Sequence, residues 1–481
     1  MARAPFVRVN FQPSGARRRV AAEDIVRTLA EEVSAGRLPR GARLPPVRAL
    51  EHELGISKNT VQAAYDELCA RGLLVTRERD GVFVEGAPAA EIPATRLAAP
   101  APRFVEPNLD RQRMPEPDVL PLSMVFIDPE LLPRERLAEC VKSVLHIPGL
   151  HALYDAQGYP PLREVIAKRL RARGMEVGAG DVVVTTGSQQ ALDAVCRALP
   201  RRKLATENPV YQQAKALFET LGAELTGLRL DPFGPVPFDE WHAALAAAKP
   251  ELFYTVTSFH NPTGRSYSTH ELLRILELAN ELGFALLEDD WGSDMLSHEE
   301  YRPTLRALGG PNVTYVNSFT KKLLPSLRLG FVVGEPATVP ALVAAKRVAT
   351  LGNPTLIEAT LCELLERGYY DTHLSAMQAE LDRRYARCLG ALDALMPAGV
   401  RWTSPGGGPT LWLEVPRQVS LDALSERLIA RKVRIHLLPR AFHGEPHLHG
   451  FPIGFAFLPT ERLVQGLEVL GEELRRLLEA A

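Results

Sequence analysis

Two features are scarce in this sequence of 481 residues, namely long apolar runs and paired cysteines. No apolar run approaches the roughly 20 residues of a membrane-spanning helix, and the polar N-terminus lacks the apolar core of a signal peptide. The five cysteines have no paired spacing, which favours small buried thiols over a disulfide framework; they are Cys69, Cys140, Cys196, Cys362 and Cys388. We therefore expect a cytoplasmic protein without structural disulfides.

An excess of charge of one sign is also missing, because the net charge is −2 at pH 7. The chain as a whole is not basic, so any nucleic-acid surface must be local. With 46% hydrophobic residues and a mean hydropathy of −0.07, the composition is that of an ordinary globular protein. The chain is too long for one simple core, and we expect two or three domains.

The N-terminal part has the pattern of a small helical domain with a hairpin. An amphipathic pattern over residues 20–35 predicts a first helix. A second helix, VRALEHELG, ends at Gly55, and a third begins after the N-cap Ser57 and ends at Gly72. Alternating residues around Asp80-Gly81 then predict a β-hairpin. A helix-turn-helix followed by such a hairpin is a winged helix.

Polar and basic side chains gather at the start of the third helix and around the hairpin. Such groups reach phosphates and base edges, so this domain is predicted to bind double-stranded DNA. The candidate contacts are Arg43, Arg48, Ser57, Lys58, Asn59, Thr60, Gln62, Arg77 and Arg79. Winged helices also serve as protein-docking modules, and that alternative stays open.

The segment RLPPVRALEHELGISKNTVQAAYDELCARG resembles the GntR-type winged helix, whose usual run is RLPSSRxLAxxLGVSRxTVxxAYxxLxxxG. It departs from that run at Pro46-Val47, where two serines are usual, and at Lys58, where arginine is usual. Arg79 stands where a wing glycine is common. The resemblance implies a DNA-binding domain over residues 16–86.

Residues 87–118 are rich in proline and alanine and show little apolar periodicity. Such a composition predicts an extended, semi-rigid linker. The second domain is expected over residues 119–481.

Short apolar runs alternate with amphipathic helices from about residue 150 onward. This alternation predicts an α/β domain with a mainly parallel sheet. In such sheets ligands collect beyond the carboxyl ends of the strands, and the polar clusters of this chain follow the strands DVVVTTG, KLATENP, ELFYTVTSFHNPTG, FALLEDDW and NVTYVNSF.

The stretch SFTKKLLPSLRLG at 318–330 contains Lys321. A lysine in an apolar or cation-rich setting loses its proton near neutral pH and can condense with an aldehyde. The hydroxyls of Ser318 and Thr320, with the guanidinium of Arg328, suit a phosphate dianion. An aldehyde and a phosphate on one small molecule indicate pyridoxal 5'-phosphate. Taken alone, the stretch is equally compatible with a solvated basic turn.

The order of the other strand ends favours the cofactor. Gly187, Ser188 and Gln189 open a helix whose free N–H groups suit a phosphate. Tyr211 can stack on a ring. Asn261 offers an amide donor, and Asp289 can keep a pyridine nitrogen protonated, which makes the cofactor an electron sink.

With these parts the second domain resembles the fold-type I aminotransferases, and with the winged head the chain resembles the MocR-type subgroup of GntR regulators. The resemblance implies a large part at about 150–345, and a small part from the N-terminal arm and about 346–481. It implies that Lys321 and Asp289 are catalytic, and that Tyr154, within LYDAQGYPPLREVIAKRL, reaches the cofactor of a partner subunit in a homodimer.

Two positions depart from the aminotransferase pattern. Trp291 replaces a tyrosine that usually supports the ring oxygen, although an indole N–H still donates one hydrogen bond. Pro452, in FPIGFAFL, replaces the arginine that usually clamps the substrate carboxylate. Substitutes are available in PRAFHGEPHLHG, which holds Arg440, His443, His447 and His449. A metal site is disfavoured there, because a supporting frame of ligands is missing.

Two functions follow. The first is a transcriptional regulator that senses an amine, an amino-acid-like effector or the cofactor itself. The alternative is an active aminotransferase with an appended DNA-binding head. Catalysis without pyridoxal phosphate is a third hypothesis, which the presence of Lys321 disfavours.

Overall fold

The computed structural model describes residues 6–13, 19–77, 80–86, 106–107, 109, 116, 118–150, 154–295 and 303–480. The chain forms two compact units, Met1–Phe104 and Val105–Ala481. Arg79 and most of the predicted linker at 87–118 lie outside the described residues, so the domain boundaries stay predictions.

In the described part of the first unit, three helices pack around one apolar core. They are α1 (Ala22–Ser34), α2 (Val47–Leu54) and α3 (Lys58–Ala70). Ile25 and Leu29 of α1 are buried against the core residues of α3. Helix α2 ends at Gly55, which takes a left-handed φ of 63° that suits glycine. Helix α3 begins after Ser57, whose hydroxyl accepts a hydrogen bond from the Thr60 backbone N–H at 3.2 Å.

The hairpin follows as strands β1 (Leu74–Arg77) and β2 (Gly81–Val84). The strands are antiparallel, with Leu74 opposite Val84 and Arg77 opposite Gly81. Leu74 and Val84 are buried in the same core as the helices. The winged helix predicted from the sequence is therefore confirmed.

The second unit is built on a large sheet. Within the described residues, seven strands are ordered β4-β10-β9-β8-β7-β5-β6. Their bounds are β4 (Val182–Thr185), β5 (Lys203–Asn208), β6 (Glu224–Arg229), β7 (Leu252–Thr255), β8 (Ala285–Asp289), β9 (Val313–Ser318) and β10 (Gly330–Val333). Strand β10 runs antiparallel to both β4 and β9, and the remaining pairs are parallel.

The helices of the large part are α4 (Arg134–Val144), α5 (Pro160–Arg171), α6 (Gly187–Ala198), α7 (Gln212–Thr220), α8 (Phe238–Ala248), α9 (Thr269–Leu282), α10 (Leu305–Gly309), α11 (Val339–Thr350) and α12 (Thr355–Glu366). Helices α4 and α5 precede the first strand of this sheet, and the other helices of the large part follow its strands, as βαβ connections require. Strands β4, β7 and β10 are buried on both faces, which explains why their sequences are apolar runs rather than alternating patterns.

The small part of the second unit joins the segment near residue 120 to the C-terminal region. It contains β3 (Leu120–Pro121), α13 (Tyr369–Leu395), β11 (Arg401–Trp402), β12 (Thr410–Glu414), α14 (Leu421–Ala430), β13 (Val433–Arg434), β14 (Gly450–Gly454) and α15 (Thr460–Ala480). Strand β3 pairs with β13 in parallel, and β12 lies between β11 and β14. The α15 stripe of Leu463, Leu467, Leu470 and Leu474 is fully buried in this core, as its spacing predicted.

The observed architecture confirms the predicted class, a winged helix with an α/β aminotransferase-like domain. The sequence patterns did not single out β6 or the antiparallel β10. None of the helices in the described parts of the chain is long and apolar enough to cross a membrane.

Candidate functional site

A cavity of about 390 Å³ opens at the carboxyl ends of the sheet strands, between the large and small parts of the second unit. Most of the predicted cofactor residues line it, although they are far apart in sequence. They are Ser188, Gln189, Tyr211, Asn261, Asp289, Trp291, Ser318, Thr320, Lys321 and Arg328. Because parallel strands end at one edge of a sheet, the loops that follow them meet at this cavity.

Lys321 follows β9 and projects its amine into the cavity. Its Nζ lies 3.6 Å from the centre of the Phe126 ring, which belongs to the segment after β3. Burial, and secondarily the Arg328 guanidinium, lower the pKa of Lys321 to about 8. A substantial fraction of the amine is therefore neutral near physiological pH, which is the state that attacks an aldehyde.

The loop after β4 forms an anion cradle with the region after β9. Gly187 has a left-handed φ of 75°, and a Cβ there would lie 3.1 Å from Arg328 Nη2 and 3.5 Å from Thr320 Oγ1. The Thr320 hydroxyl is buried and has no hydrogen-bond partner among the described residues. The Ser318 hydroxyl accepts a hydrogen bond from the Thr320 backbone N–H at 3.1 Å, which orders the cradle. Gly187, the hydroxyls and the guanidinium together suit a phosphate.

Asp289 ends β8 and is nearly inaccessible to solvent. Tyr254 donates a hydrogen bond to its Oδ2 at 2.9 Å, whereas Oδ1 has no partner within the described part of the chain. Burial raises the pKa of Asp289 to about 7. A buried carboxylate oxygen without a donor suits a cationic N–H such as a protonated pyridine nitrogen.

Tyr211 and Asn261 complete the wall of the cavity. Tyr211 stands at the start of α7, and burial raises the pKa of its phenol to about 12, so the hydroxyl stays neutral. Asn261 is held by the following turn, in which the Gly264 N–H donates to the His260 carbonyl at 2.6 Å. Both side chains are therefore fixed on loops that face the cavity.

Trp291 lines the cavity, but its indole N–H donates to the Phe259 carbonyl at 3.2 Å. That donor is engaged with the backbone, so the hydrogen bond anticipated from the indole to a ring oxygen is not prepared in this structure. Trp291 contributes an apolar wall instead.

Tyr154 is the predicted cofactor residue that lies away from the cavity. It is 63% exposed, and its ring packs beside Gly352, where an added Cβ would be 2.8 Å from Tyr154 Cδ2. Its reach toward a partner subunit stays a prediction.

The groups considered as substitutes for the arginine at 452 are placed elsewhere. Arg440 and the three histidines are not among the cavity-lining residues. His443 contacts the Thr206 hydroxyl at 2.8 Å, and His447 and His449 hydrogen-bond to backbone carbonyls. No group of three or more histidine, cysteine, aspartate or glutamate residues in the described ranges could hold a metal ion.

Cavity residues that the sequence reasoning missed come from the small part and from α7. They include Ser123, Phe126, Gln212, Arg434 and His436. Their local strings carry no ligand motif, because long-range packing brings them to the cavity.

The residues present fit pyridoxal phosphate, since two buried polar atoms that face the cavity, Thr320 Oγ1 and Asp289 Oδ1, have no partner among the described residues. The cradle around Gly187 would take the phosphate, and the Lys321 amine would take the aldehyde. When bound, the cofactor supplies an electron sink for chemistry at a carbon attached to nitrogen.

A pH-dependent stability difference is expected from Asp289. Its pKa is raised from 3.8 to about 7 in the folded protein. The contribution of the Asp289 carboxyl to the free energy of unfolding is fully present below about pH 4, and it is lost as the pH rises through about 7. Between pH 5 and pH 8 the apoprotein should therefore lose several degrees of Tm relative to Asp289→Asn, which cannot ionise.

Thermal unfolding of the two apoproteins at both pH values measures this difference. The buried His260, with its pKa lowered by burial to about 3, titrates with the opposite sign, but it is present in both proteins and cancels. Parallel Tm profiles for the two proteins would contradict the assignment of a raised pKa to the carboxyl at position 289.

The first unit presents a second candidate surface at the start of α3. Ser57, Lys58, Asn59 and Gln62 are exposed, and Thr60 is half-buried. The first turn of α3 contains no acidic residue, although acids are the residues that a helix N-terminus favours. A lysine in that turn is unfavourable for the helix alone and favourable beside an external anion.

The predicted basic contacts of the head fall into two groups. Arg48 and Lys58 are exposed and have no ion-pair partner in the part of the chain that the structure describes. Arg77 is exposed and stacks on the Phe83 ring. Arg43, in contrast, is buried and donates to the Asp80 carbonyl at 2.5 Å, so it holds the hairpin from within.

Comparison with known proteins agrees with both units. Residues 128–461 match the family described as aminotransferase class I and II, and residues 21–84 match the bacterial regulatory proteins of the gntR family. The chain is 32% identical to the HTH-type transcriptional regulator TauR of Rhodobacter capsulatus, over 85% of this chain and 86% of that protein. It is 27% identical to the probable rhizopine catabolism regulatory protein MocR of Rhizobium meliloti, over 92% and 91%.

Among solved structures, the chain is similar to LysN, an α-aminoadipate aminotransferase from Thermus thermophilus that was crystallised with N-(5'-phosphopyridoxyl)-L-leucine. The TM-score is 0.71 at 30% identity, covering 76% of this chain and 94% of that one. The match is confined to about three quarters of this chain, whereas the two regulators match over more of its length. The chain therefore belongs to the MocR-type subgroup of GntR regulators, in which a GntR winged helix is joined to an aminotransferase class I and II domain that uses pyridoxal 5'-phosphate.

Proposed function

We propose that this chain is a cytoplasmic, homodimeric transcriptional regulator that binds double-stranded DNA through its winged helix. Its second domain holds pyridoxal phosphate and senses an amine or amino-acid-like effector. The observation that carries the proposal is the presence, in one chain, of an exposed basic helix start and a cavity lined by most of the predicted cofactor residues.

The DNA contacts are assigned to the first turns of α3 and to its basic neighbours. Asn59 and Gln62 are amides that can read base edges, and Arg48, Lys58 and Arg77 supply phosphate contacts. Ser57 and Thr60 orient the helix start through their mutual hydrogen bond of 2.8 Å. Arg43 is proposed to position the hairpin rather than to touch DNA.

In the cofactor cavity, each residue has a positioning or proton-handling task. Gly187, Ser188, Gln189, Ser318, Thr320 and Arg328 hold the phosphate. Asp289 keeps the ring nitrogen protonated, and the Tyr254 hydroxyl holds that carboxylate in place. Tyr211 and Trp291 bound the ring, Asn261 donates to its oxygen, and the Lys321 amine is the covalent attachment point.

The homodimer is proposed from an exposed apolar surface around Tyr154. Leu351 is 62% exposed, and the adjacent Gly352 packs against Tyr154, which is itself 63% exposed. Neighbouring exposed apolar side chains that form one patch mark interaction sites, and we propose that Tyr154 and Leu351 belong to such a patch. A partner covering this surface would bring Tyr154 toward the partner's cavity, which makes the site a property of the dimer.

An effector that binds one arrangement of the dimer better than another shifts the population toward that arrangement. The distance between two heads decides which pair of half-sites can be bound together. We expect salt-sensitive, sequence-specific binding to the DNA upstream of its own or a neighbouring gene, and the affinity should change when an effector is added.

A footprint with titration by amines and amino acids measures this affinity, and sedimentation of the same sample should give a dimer. Sequence-independent binding that no amine alters would contradict the regulator. Turnover of an amino acid and keto acid pair at about 1 per second or more would favour the alternative, an active aminotransferase.

A further inference from the structure

The wall of the cavity on the side of the small part has no charged group at residue 452. Pro452 lies in β14, is buried, and lines the cavity with an apolar ring. A proline side chain offers neither a charge nor a donor. An acidic ligand group that enters the cavity must therefore find its cation at another position.

Arg434 lines the same cavity from β13. Its side chain is half-buried, and no described residue provides it with a hydrogen bond or an ion pair. This differs from Arg384 in the same part, which pairs with Asp128 at 2.8 Å and with Glu380 at 2.7 Å. A half-buried guanidinium that has no internal anion is available to an external one.

The backbone fixes where Arg434 stands relative to Pro452. The Arg434 carbonyl accepts from the Leu122 N–H at 2.9 Å, and the Leu122 carbonyl accepts from the Gly454 N–H at 2.7 Å. The Ser123 hydroxyl donates to the Pro452 carbonyl at 2.6 Å and accepts from the His436 N–H at 2.9 Å. Residues 122–123 thus lie between β14 and the chain that carries Arg434, which places Arg434 and Pro452 on the same side of the cavity that both of them line.

A second polar group of this cavity also lacks a partner. Gln212 is 6% exposed, lines the cavity, and its Oε1 finds no donor in the described ranges. Burying an amide oxygen without a donor costs free energy, so a ligand that supplies an N–H is favoured there. Gln212 and Arg434 together offer an acceptor and a cation to a small molecule.

The charges that remain after the cofactor is placed favour an acidic ligand, and this step rests on the proposed function. The charged side chains that line the cavity are Lys321, Arg328, Arg434 and Asp289, with His436 beside them. The cofactor would use Arg328 for its phosphate, Asp289 for its ring nitrogen and Lys321 for its aldehyde. Arg434 is the guanidinium left over among the described lining residues.

We propose that Arg434 binds the acid group of the effector, in place of an arginine at position 452. The effector is then an amine that carries a carboxylate or another anionic group, and a simple amine lacks the group that Arg434 recognises. Arg434 is a specificity-determining residue of the sensing site.

The test measures the binding of matched probes to the full-length protein loaded with pyridoxal phosphate. The probes are L-leucine with 3-methylbutylamine, L-phenylalanine with 2-phenylethylamine, and β-alanine with ethylamine, so that each acid is compared with the amine that lacks its carboxylate. Kd values come from the change in visible absorption of the bound cofactor. The parent protein should bind at least one acid roughly 10- to 100-fold more tightly than its amine, as expected for a charge-assisted pair.

Arg434→Gln should remove this acid preference while the visible absorption and Tm stay close to those of the parent. Arg434→Lys, which keeps the charge without the planar fork, should retain part of it. Arg440→Gln is the matched control, because Arg440 lies outside the cavity lining, and it should leave the preference unchanged.

Acid preference that survives in Arg434→Gln would overturn the inference, and so would a loaded parent protein that binds none of the acids. A preference lost only in Arg440→Gln would assign the acid group to that arginine instead and would also overturn it. A parent protein that fails to bind pyridoxal phosphate at all would contradict the proposed function itself, an outcome visible before any probe is added.

Discussion

Lys321→Ala should abolish the visible absorption of the bound cofactor completely. The amine at position 321 is the one in the cavity with the setting for condensation, since burial and Arg328 lower its pKa to about 8 and Phe126 covers it. Alanine leaves the phosphate cradle intact, so free cofactor still enters but is held without a covalent bond. After exhaustive removal of free cofactor, the spectrum of the variant should match that of the apoprotein.

Lys321→Arg is the matched variant, because it keeps a positive charge under Phe126 but cannot condense with an aldehyde near neutral pH. It too should lose the band. The neighbouring Lys322 does not share this setting, since its Nζ is engaged by Asp294 at 2.8 Å and by Asn317 at 2.7 Å. A band that persists in Lys321→Ala after complete removal of free cofactor would show that another amine holds the aldehyde.

The cofactor residues of the large part were predictable because they follow strands whose apolar runs are unmistakable in the sequence. Asp289 follows FALLE, Asn261 follows the β7 run, and Lys321 follows β9. Parallel strands end at one edge of a sheet, so the order of polar residues along the chain was enough to place them together. Burial and hydrogen bonds then decide details that the order does not contain.

The remaining details depend on contacts between residues far apart in sequence. The segment VRIHLL contains no ligand motif, and Arg434 is brought to the side of the cavity that holds Pro452 by backbone and hydroxyl contacts of Leu122 and Ser123. Ser123 is 329 positions from Pro452 and 313 positions from His436. Likewise, the Trp291 indole N–H donates to the Phe259 carbonyl, a contact that no local sequence pattern predicts.

The direction of a strand is another property that composition leaves open. The run GFVV is as apolar as its neighbours, but β10 is antiparallel to both strands beside it. In the winged helix, the contacts of Arg43 were also not evident from the sequence. Its position before the third helix suggested a DNA contact. Its guanidinium is instead buried against the hairpin at Asp80.

Replacing both Lys58 and Arg48 with alanine should weaken DNA binding by about tenfold or more for each of the two cations, a value typical of hydrogen bonds from charged groups to phosphate. Other arginines of the head are neutralised internally, as Arg37 is by Glu32 and Arg71 is by Glu67. Lys58 and Arg48 have no such partner among the described residues, which leaves their charge for an external anion. Lys58 also stands in the first turn of α3, where the helix dipole disfavours a cation, so its presence is best explained by a phosphate.

The salt dependence of binding distinguishes a loss of phosphate contacts at Lys58 and Arg48 from general damage to the winged helix. Each cation that no longer meets a phosphate should reduce the slope of log K against log salt by about 0.9, on specific and non-specific duplexes alike. Arg71→Ala is the matched control, since Arg71 caps the opposite end of α3 and pairs with Glu67, and it should leave the slope unchanged. A slope that is the same in the parent and in the double variant would mean that the start of α3 does not face the DNA backbone. Other residues would then make the phosphate contacts, and the basic residues at the start of α3 would need another anion to explain them.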